Sequence, residues 1–136
     1  MSRPGFYLTT PIYYVNAAPH VGHAYTSIMA DIIARHRRQR GEEVFYLTGP
    51  DEHGSKIAQS AEAAGRTPRE HADALSLRFR EMSDVLGISH DFFIRTTFPE
   101  HALEVGRFLE RIREAGDIYR DSYGGWYCVA SESFYS

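Results

Sequence analysis

Two histidines three residues apart, His20 and His23, open a long helical pattern and enclose Val21 and Gly22. Side chains at that spacing share one side of a helix. A helix start offers unpaired backbone N–H groups and a partial positive charge, so it attracts phosphate. Two imidazoles donating to phosphoryl oxygens would stabilise the charge that develops during attack on phosphorus. Gly22 lets a flat purine or ribose lie against the backbone. The same histidines also suit helix capping or an ordinary surface position, and His-x-x-His can chelate zinc. Zinc needs three or four protein ligands, and Asp51 and His53 are the nearest extra candidates, so no metal ligand is assigned. A second group, Asp51-Glu52-His53, brings two adjacent carboxylates. One of them suits a cap for the helix that follows; capping does not account for both.

These groups need elements that bring them together. Phe6 to Thr10 is a short aromatic and β-branched run, Val44 to Thr48 a second, and Phe92 to Arg95 a third; each reads as a buried strand. Val21 to Arg40 has helical periodicity, with Ala24, Ile28 and Ile32 four residues apart, Met29 and Ile33 beside them, and Gly41 just past the end. Ser55 to Ala64 reads as a short helix closed by Gly65. Thr67-Pro68-Arg69-Glu70 is a capping box that starts a helix bearing Leu75, Phe79, Met82 and Leu86 on one stripe. Thr97-Phe98-Pro99-Glu100 repeats that logic for a last helix, with Ala102, Val105, Leu109 and Ile112 inward. Strands alternating with helices predict an α/β fold with a parallel sheet covered on both faces. In such a sheet ligands bind beyond the carboxyl ends of the strands, where the loop from Pro11 to His23 and the turn at Asp51 both fall. Ile118–Tyr123 and Trp126–Val129 flank Gly124-Gly125, which predicts a hairpin and a new subdomain. The expected division is 1–116 and 117–136.

With 43% hydrophobic and 24% charged residues and a formal net charge of −3, the 136-residue chain has the balance of a globular domain rather than a disordered tail. That charge excludes a surface basic all over, as general nucleic-acid binders have. Arg35, Arg37, Arg38 and Arg40 form one local basic cluster, which suits the negative end of their own helix better than a nucleic-acid contact. The single cysteine, Cys128, permits no intrachain disulfide and fits a reducing compartment. No signal peptide or membrane-spanning run is visible, so a cytoplasmic protein with no membrane partner is expected.

The segment Thr-Thr-Pro-Ile-Tyr-Tyr-Val-Asn-Ala-Ala-Pro-His-Val-Gly-His-Ala-Tyr, from Thr9 to Tyr25, closely resembles the methionyl family of class I aminoacyl-tRNA synthetases. The likeness continues through Phe45-Tyr46-Leu47-Thr48-Gly49-Pro50-Asp51-Glu52-His53-Gly54 and Phe93-Ile94-Arg95-Thr96-Thr97. It reaches Ala115-Gly116-Asp117-Ile118-Tyr119 and Tyr123-Gly124-Gly125-Trp126-Tyr127-Cys128 in order. It implies the first half of a doubly wound, Rossmann-like nucleotide-binding domain followed by the start of a connective insertion. It implies methionine–tRNA ligase activity: methionine and ATP form methionyl-adenylate, and the methionyl group passes to tRNA. By that resemblance Asp51 receives the α-ammonium of methionine, Ile12 and Tyr14 line the thioether pocket, and Asn16, His20, Gly22 and His23 hold ATP, with Mg2+ accompanying the nucleotide. From sequence alone, Ile12 and Tyr14 suit ordinary loop packing equally well.

Many relatives carry Cys-x-x-Cys where this chain has Cys128 and Ser131, so no zinc is expected in this chain. The Lys-Met-Ser-Lys-Ser loop and the helical anticodon-binding domain that the resemblance implies are not among these residues. The chain is therefore expected to be a partial enzyme, inactive by itself, with tRNA contacted mainly through other parts. Two alternatives stand beside this reading. One is a small nucleotidyltransferase with the same His-x-Gly-His motif; the loop before His20 and the Asp-Glu-His-Gly segment disfavour it. The other is a fragment that binds ligands and turns nothing over.

Overall fold

The computed structural model describes residues 5–129 and 131–135. Met1–Pro4, where the sequence predicts no leader, lie outside the described residues, as do Ala130 and Ser136. The chain divides into two compact units, 1–102 and 103–136. That division falls inside the last helix, upstream of the subdomain start expected near Asp117.

Unit 1 is built on three parallel strands, β1 (Phe6–Thr9), β3 (Val44–Thr48) and β5 (Phe92–Phe93), in the order β1-β3-β5. Two short extensions, β2 (Tyr13–Tyr14) and β4 (Pro50–Asp51), pair parallel beyond the carboxyl ends of β1 and β3. Gly49 makes this extension possible. A Cβ there would stand 1.9 Å from the Ile94 carbonyl oxygen, so only glycine lets the backbones pass so closely.

Helix α1 (Val21–Gln39) joins β1 to β3, and α2 (Ser55–Ala63) and α3 (Pro68–Val85) join β3 to β5. Because successive strands add in one direction, right-handed crossovers place the connecting helices on the same face of the sheet. Tyr46, fully buried, packs with Ala30 and Ala34 of α1, and with Leu8, Val44 and Ile88 at the margin. A second cluster joins Tyr13, Val15, Ile57, Ala72, Phe79 and Phe93 under the loop that follows β1.

The expectation of cover on both faces is corrected. Tyr7 and Phe45 stack on the opposite face with ring centroids 6.0 Å apart and remain 61% and 48% exposed. One winding direction covers one face; a second winding from β1 in the other direction is what covers the other.

Helix α1 also differs in its inward side. Ser27, Ala30, Asp31 and Ala34 are buried, while Ile28, Met29, Ile32 and Ile33 are 40% or more exposed. Small residues admit close approach to Tyr46, and Asp31 is tolerated because Ser89 donates to it through backbone N–H at 2.7 Å and hydroxyl at 2.5 Å. Burial opposes ionisation of Asp31, yet the hydrogen bonds from Ser89 and Arg35 outweigh it and hold the pKa below the ordinary carboxylate value. The capping box of α3 forms as expected, with Thr67 accepting from the Glu70 N–H and Glu70 accepting from that of Thr67.

The second expected capping box does not form. Helix α4 (Pro99–Ala115) starts two residues after Thr97, whose hydroxyl donates to Glu52 instead. Val105 and Leu109, expected to face inward, are 42% and 49% exposed.

In unit 2 the hairpin lies further along than expected. Strands β6 (Trp126–Cys128) and β7 (Ser133–Tyr135) pair antiparallel, so Gly124-Gly125 precede the hairpin rather than turn it. Cross-strand aromatic contact sets that register: Phe134 meets Tyr127 at 4.9 Å and Tyr123 at 5.0 Å between centroids. Among the described residues no helix is long and apolar enough to cross a membrane.

Candidate active site

His20 is the N-cap of α1. Its Nδ1 accepts the Gly22 N–H at 3.1 Å, and the Nδ1 of His23 accepts the His20 N–H at 3.1 Å. Imidazoles thus replace the usual hydroxyl and carboxylate of a capping box. The capping reading and the anion reading are compatible, because capping uses only one nitrogen of each ring. With Nδ1 accepting, the neutral ring carries its proton on Nε2, which leaves one N–H donor per ring for a ligand. A Cβ at Gly22 would lie 2.9 Å from His20 Cε1, so any side chain there would press on the His20 ring.

The rings are held firmly. They stack on each other with centroids 3.8 Å apart, and Tyr13 and Phe79 each meet the His23 ring edge-on at 5.0 Å. The Tyr13 hydroxyl is 3.0 Å from Ser27 Oγ. Sequence reasoning passed over Tyr13 and singled out its neighbours Ile12 and Tyr14. Period-two alternation was the available signal, since the residue between two outward side chains on a strand turns inward. Tyr13 is buried, whereas Ile12 and Tyr14 are 53% and 50% exposed.

Burial first, and the neighbouring His20 second, hold the His23 pKa below its ordinary 6.5. Burial does the same to His90, against the pull of Asp84. A histidine kept neutral in the fold binds fewer protons than in the unfolded chain, so stability is full above 6.5 and falls as pH drops through the depressed folded values. The urea midpoint of the chain is expected to be lower at pH about 5.5 than at pH about 7.5. An unchanged or higher midpoint at the acid end would contradict this.

Asp51 lies at the same edge as the histidines. Tyr14 and Asp51 are register partners in β2 and β4, and the Val15 N–H donates to the Asp51 carbonyl at 3.3 Å. The Asp51 carboxylate accepts the His53 N–H at 3.2 Å and forms no ion pair among the described residues. Neither adjacent carboxylate caps the next helix, whose N-cap is Gly54 with no side-chain cap bond. Glu52 is committed elsewhere, to Arg95 and Thr97. Asn16 sits exposed in the turn between β2 and α1.

The arginine cluster is structural. Arg35 donates to the Gly87 carbonyl, Arg38 to Ser89 and Asp91, and Arg37 to Glu42. These bonds tie the end of α1 to the segment before β5 and to the start of β3. Cys128 sits half-buried in β6, in register with Ser133. Among the described residues no group of three or more His, Cys, Asp or Glu is gathered to hold a metal.

A LeuRS from Agrobacterium radiobacter K84, in a ternary complex with tRNA and LeuAMS, superposes with a TM-score of 0.82 at 24% identity, over 96% of this chain and 18% of that one. That likeness is one of fold. The family model described as tRNA synthetases class I (M) matches residues 6–136, and the chain belongs to that family. It is 51% identical to the methionine–tRNA ligase of Thermotoga maritima over 131 residues, 96% of this chain and 21% of that protein. The Arabidopsis thaliana chloroplastic/mitochondrial methionine–tRNA ligase is 54% identical over 129 residues, 95% of this chain and 21% of that protein. Mycobacterium tuberculosis methionyl-tRNA synthetase, solved in complex with methionyl-adenylate, matches with a TM-score of 0.93 at 48% identity, over 98% of this chain and 26% of that one. The chain spans about a fifth of the length of these curated relatives.

Proposed function

We propose that this chain supplies the first half of the methionine-activating site of a methionine–tRNA ligase. The observation that carries the reading is the parallel pairing of Tyr14 with Asp51, at the same sheet edge as the His20–His23 helix start. One oxygen of the methionine carboxylate attacks the α-phosphorus of ATP. The new P–O bond replaces the bond to pyrophosphate, giving methionyl-adenylate, and the methionyl group then passes to the terminal adenosine of tRNA. Asp51 receives the α-ammonium, Ile12 and Tyr14 form one wall for the thioether, and Asn16, His20, Gly22 and His23 hold the nucleotide. A thioether offers little polarity, so selection rests on apolar shape and sulfur–aromatic contact. No side chain here acts as nucleophile; catalysis is positioning and electrostatic stabilisation.

Magnesium would arrive on the ATP phosphates and screen their charge. The described residues gather no cluster to hold it, so the triphosphate rather than this chain would carry it. The tRNA would be met mainly by parts outside these residues. The lone cysteine and balanced composition support a reducing, cytoplasmic setting. We assign the domain boundary to the start of the connective insertion near Asp117.

The test uses a completed enzyme in which this chain replaces the matching segment of the Thermotoga maritima ligase. Asp51→Asn keeps the size and removes the charge facing the ammonium. A charge-assisted hydrogen bond contributes about 1.5–3 kcal/mol, so the methionine KM should rise roughly tenfold to hundredfold while the ATP KM holds. An unchanged methionine KM would remove Asp51 from the amino-acid site.

A further inference from the structure

Two carboxylates stand side by side at the turn after β3, and the structure treats them differently. Glu52 has a fully buried side chain. Arg95 Nε donates to Glu52 Oε1 at 2.6 Å, the Thr97 hydroxyl donates to Oε2, and the Glu52 N–H donates to Thr96 Oγ1 at 3.0 Å. The same guanidinium reaches α3 through Asp73, Nη2 to Oδ1 at 2.5 Å. Burial opposes the charge on Arg95, yet the bonds to Glu52 and Asp73 outweigh it and hold its pKa above the usual arginine value. One partly buried cation thus joins the turn after β3, the segment after β5 and helix α3. Among the described residues the carboxylate of Asp51, one residue earlier, accepts one backbone N–H and forms no ion pair.

That asymmetry has a chemical consequence. An ammonium arriving at two adjacent carboxylates would be shared between them, and two unneutralised charges one residue apart would repel each other and splay the turn. With Glu52 neutralised and anchored, Asp51 is, among the described residues, the carboxylate at this turn that no cation compensates. We propose that Arg95 is a positioning residue for the amino-acid site: it sequesters Glu52 and so fixes the turn that presents Asp51 to the substrate ammonium. Arg95 does this from β5's carboxyl side without touching substrate. The inference rests on the assignment of Asp51 as the ammonium receiver.

The completed enzyme tests it through steady-state kinetics of methionine-dependent pyrophosphate exchange. Arg95→Met removes the cation that neutralises Glu52 beside Asp51. Its methionine KM should rise by about tenfold, the scale of one lost charge-assisted hydrogen bond, with the ATP KM unchanged within about twofold. Glu52→Gln combined with Arg95→Met removes both charges and should bring the methionine KM back toward the parent value, although the double variant has fewer ionic ties. Arg95→Lys, which keeps the charge and loses the fork to two carboxylates, should fall between. If Arg95→Met leaves the methionine KM within about twofold, or raises both KM values alike without recovery in the double variant, Arg95 only supports the fold and the proposal is overturned. Asp51→Asn separates the two failures. If it raises the methionine KM and Arg95→Met does not, only the positioning role fails; if it leaves that KM unchanged, the underlying site assignment has failed.

Discussion

In the completed enzyme, His23→Asn is expected to slow methionyl-adenylate formation by about 10²–10³-fold in a single turnover, the usual cost of losing one donor to a developing charge. Asparagine places an acceptor where His23 has Nδ1, so the bond from the His20 N–H, and with it the start of α1, can survive. What it removes is the Nε2–H, the donor that the capping arrangement leaves for a phosphoryl oxygen. Methionine should therefore bind within about twofold of the parent affinity, because the lost contact belongs to the transition state. His23→Gln, whose amide nitrogen lies nearer the Nε2 position, should recover part of the rate. Equal losses in adenylate formation and methionine affinity would show that His23 acts by holding the loop and not by stabilising charge.

The chain by itself should give no methionine-dependent pyrophosphate exchange, at least about 10³-fold below the completed enzyme, since catalysis by positioning is lost when half the positioning groups are missing. Ile12 and Tyr14 form an open wall, each about half exposed, and nothing in residues 5–102 closes a pocket over them. The outer edge of β1 is unpaired within its sheet, and Tyr7, Phe45 and Phe92 present 61%, 48% and 46% of their surface on the uncovered face. Such an edge and face invite association, so sedimentation velocity should show mass rising with concentration. A monomer with robust exchange, free of contaminating full-length ligase, would mean that these residues hold a complete site.

Much of this was legible in the sequence because the signals were local. The three strands, the start of α1 at His20 and the Thr67–Glu70 capping box all announce themselves within a few residues. Asp51 could be placed beside the histidines because both follow strands of one parallel sheet. The misreadings share a different cause, since each depends on a partner distant in sequence. Thr97 looks like an N-cap until Glu52, 45 residues away, claims its hydroxyl. The inward side of α1 is chosen by Tyr46 and Ser89, so polar Ser27 and Asp31 go in while Ile28 and Ile32 stay out. The hairpin register is chosen by Phe134 rather than by the Gly124-Gly125 pair. The sheet's open face follows from winding direction, which periodicity does not reveal.

The central claim, that this chain forms one half of a methionine-activating site, is tested most directly by amino-acid-dependent exchange of labelled pyrophosphate into ATP by the completed enzyme. Exchange supported by methionine, and supported by leucine or isoleucine at least about a hundredfold less well, is the predicted result. Exchange that runs equally well without any amino acid, or no exchange from a folded chimera, would contradict it.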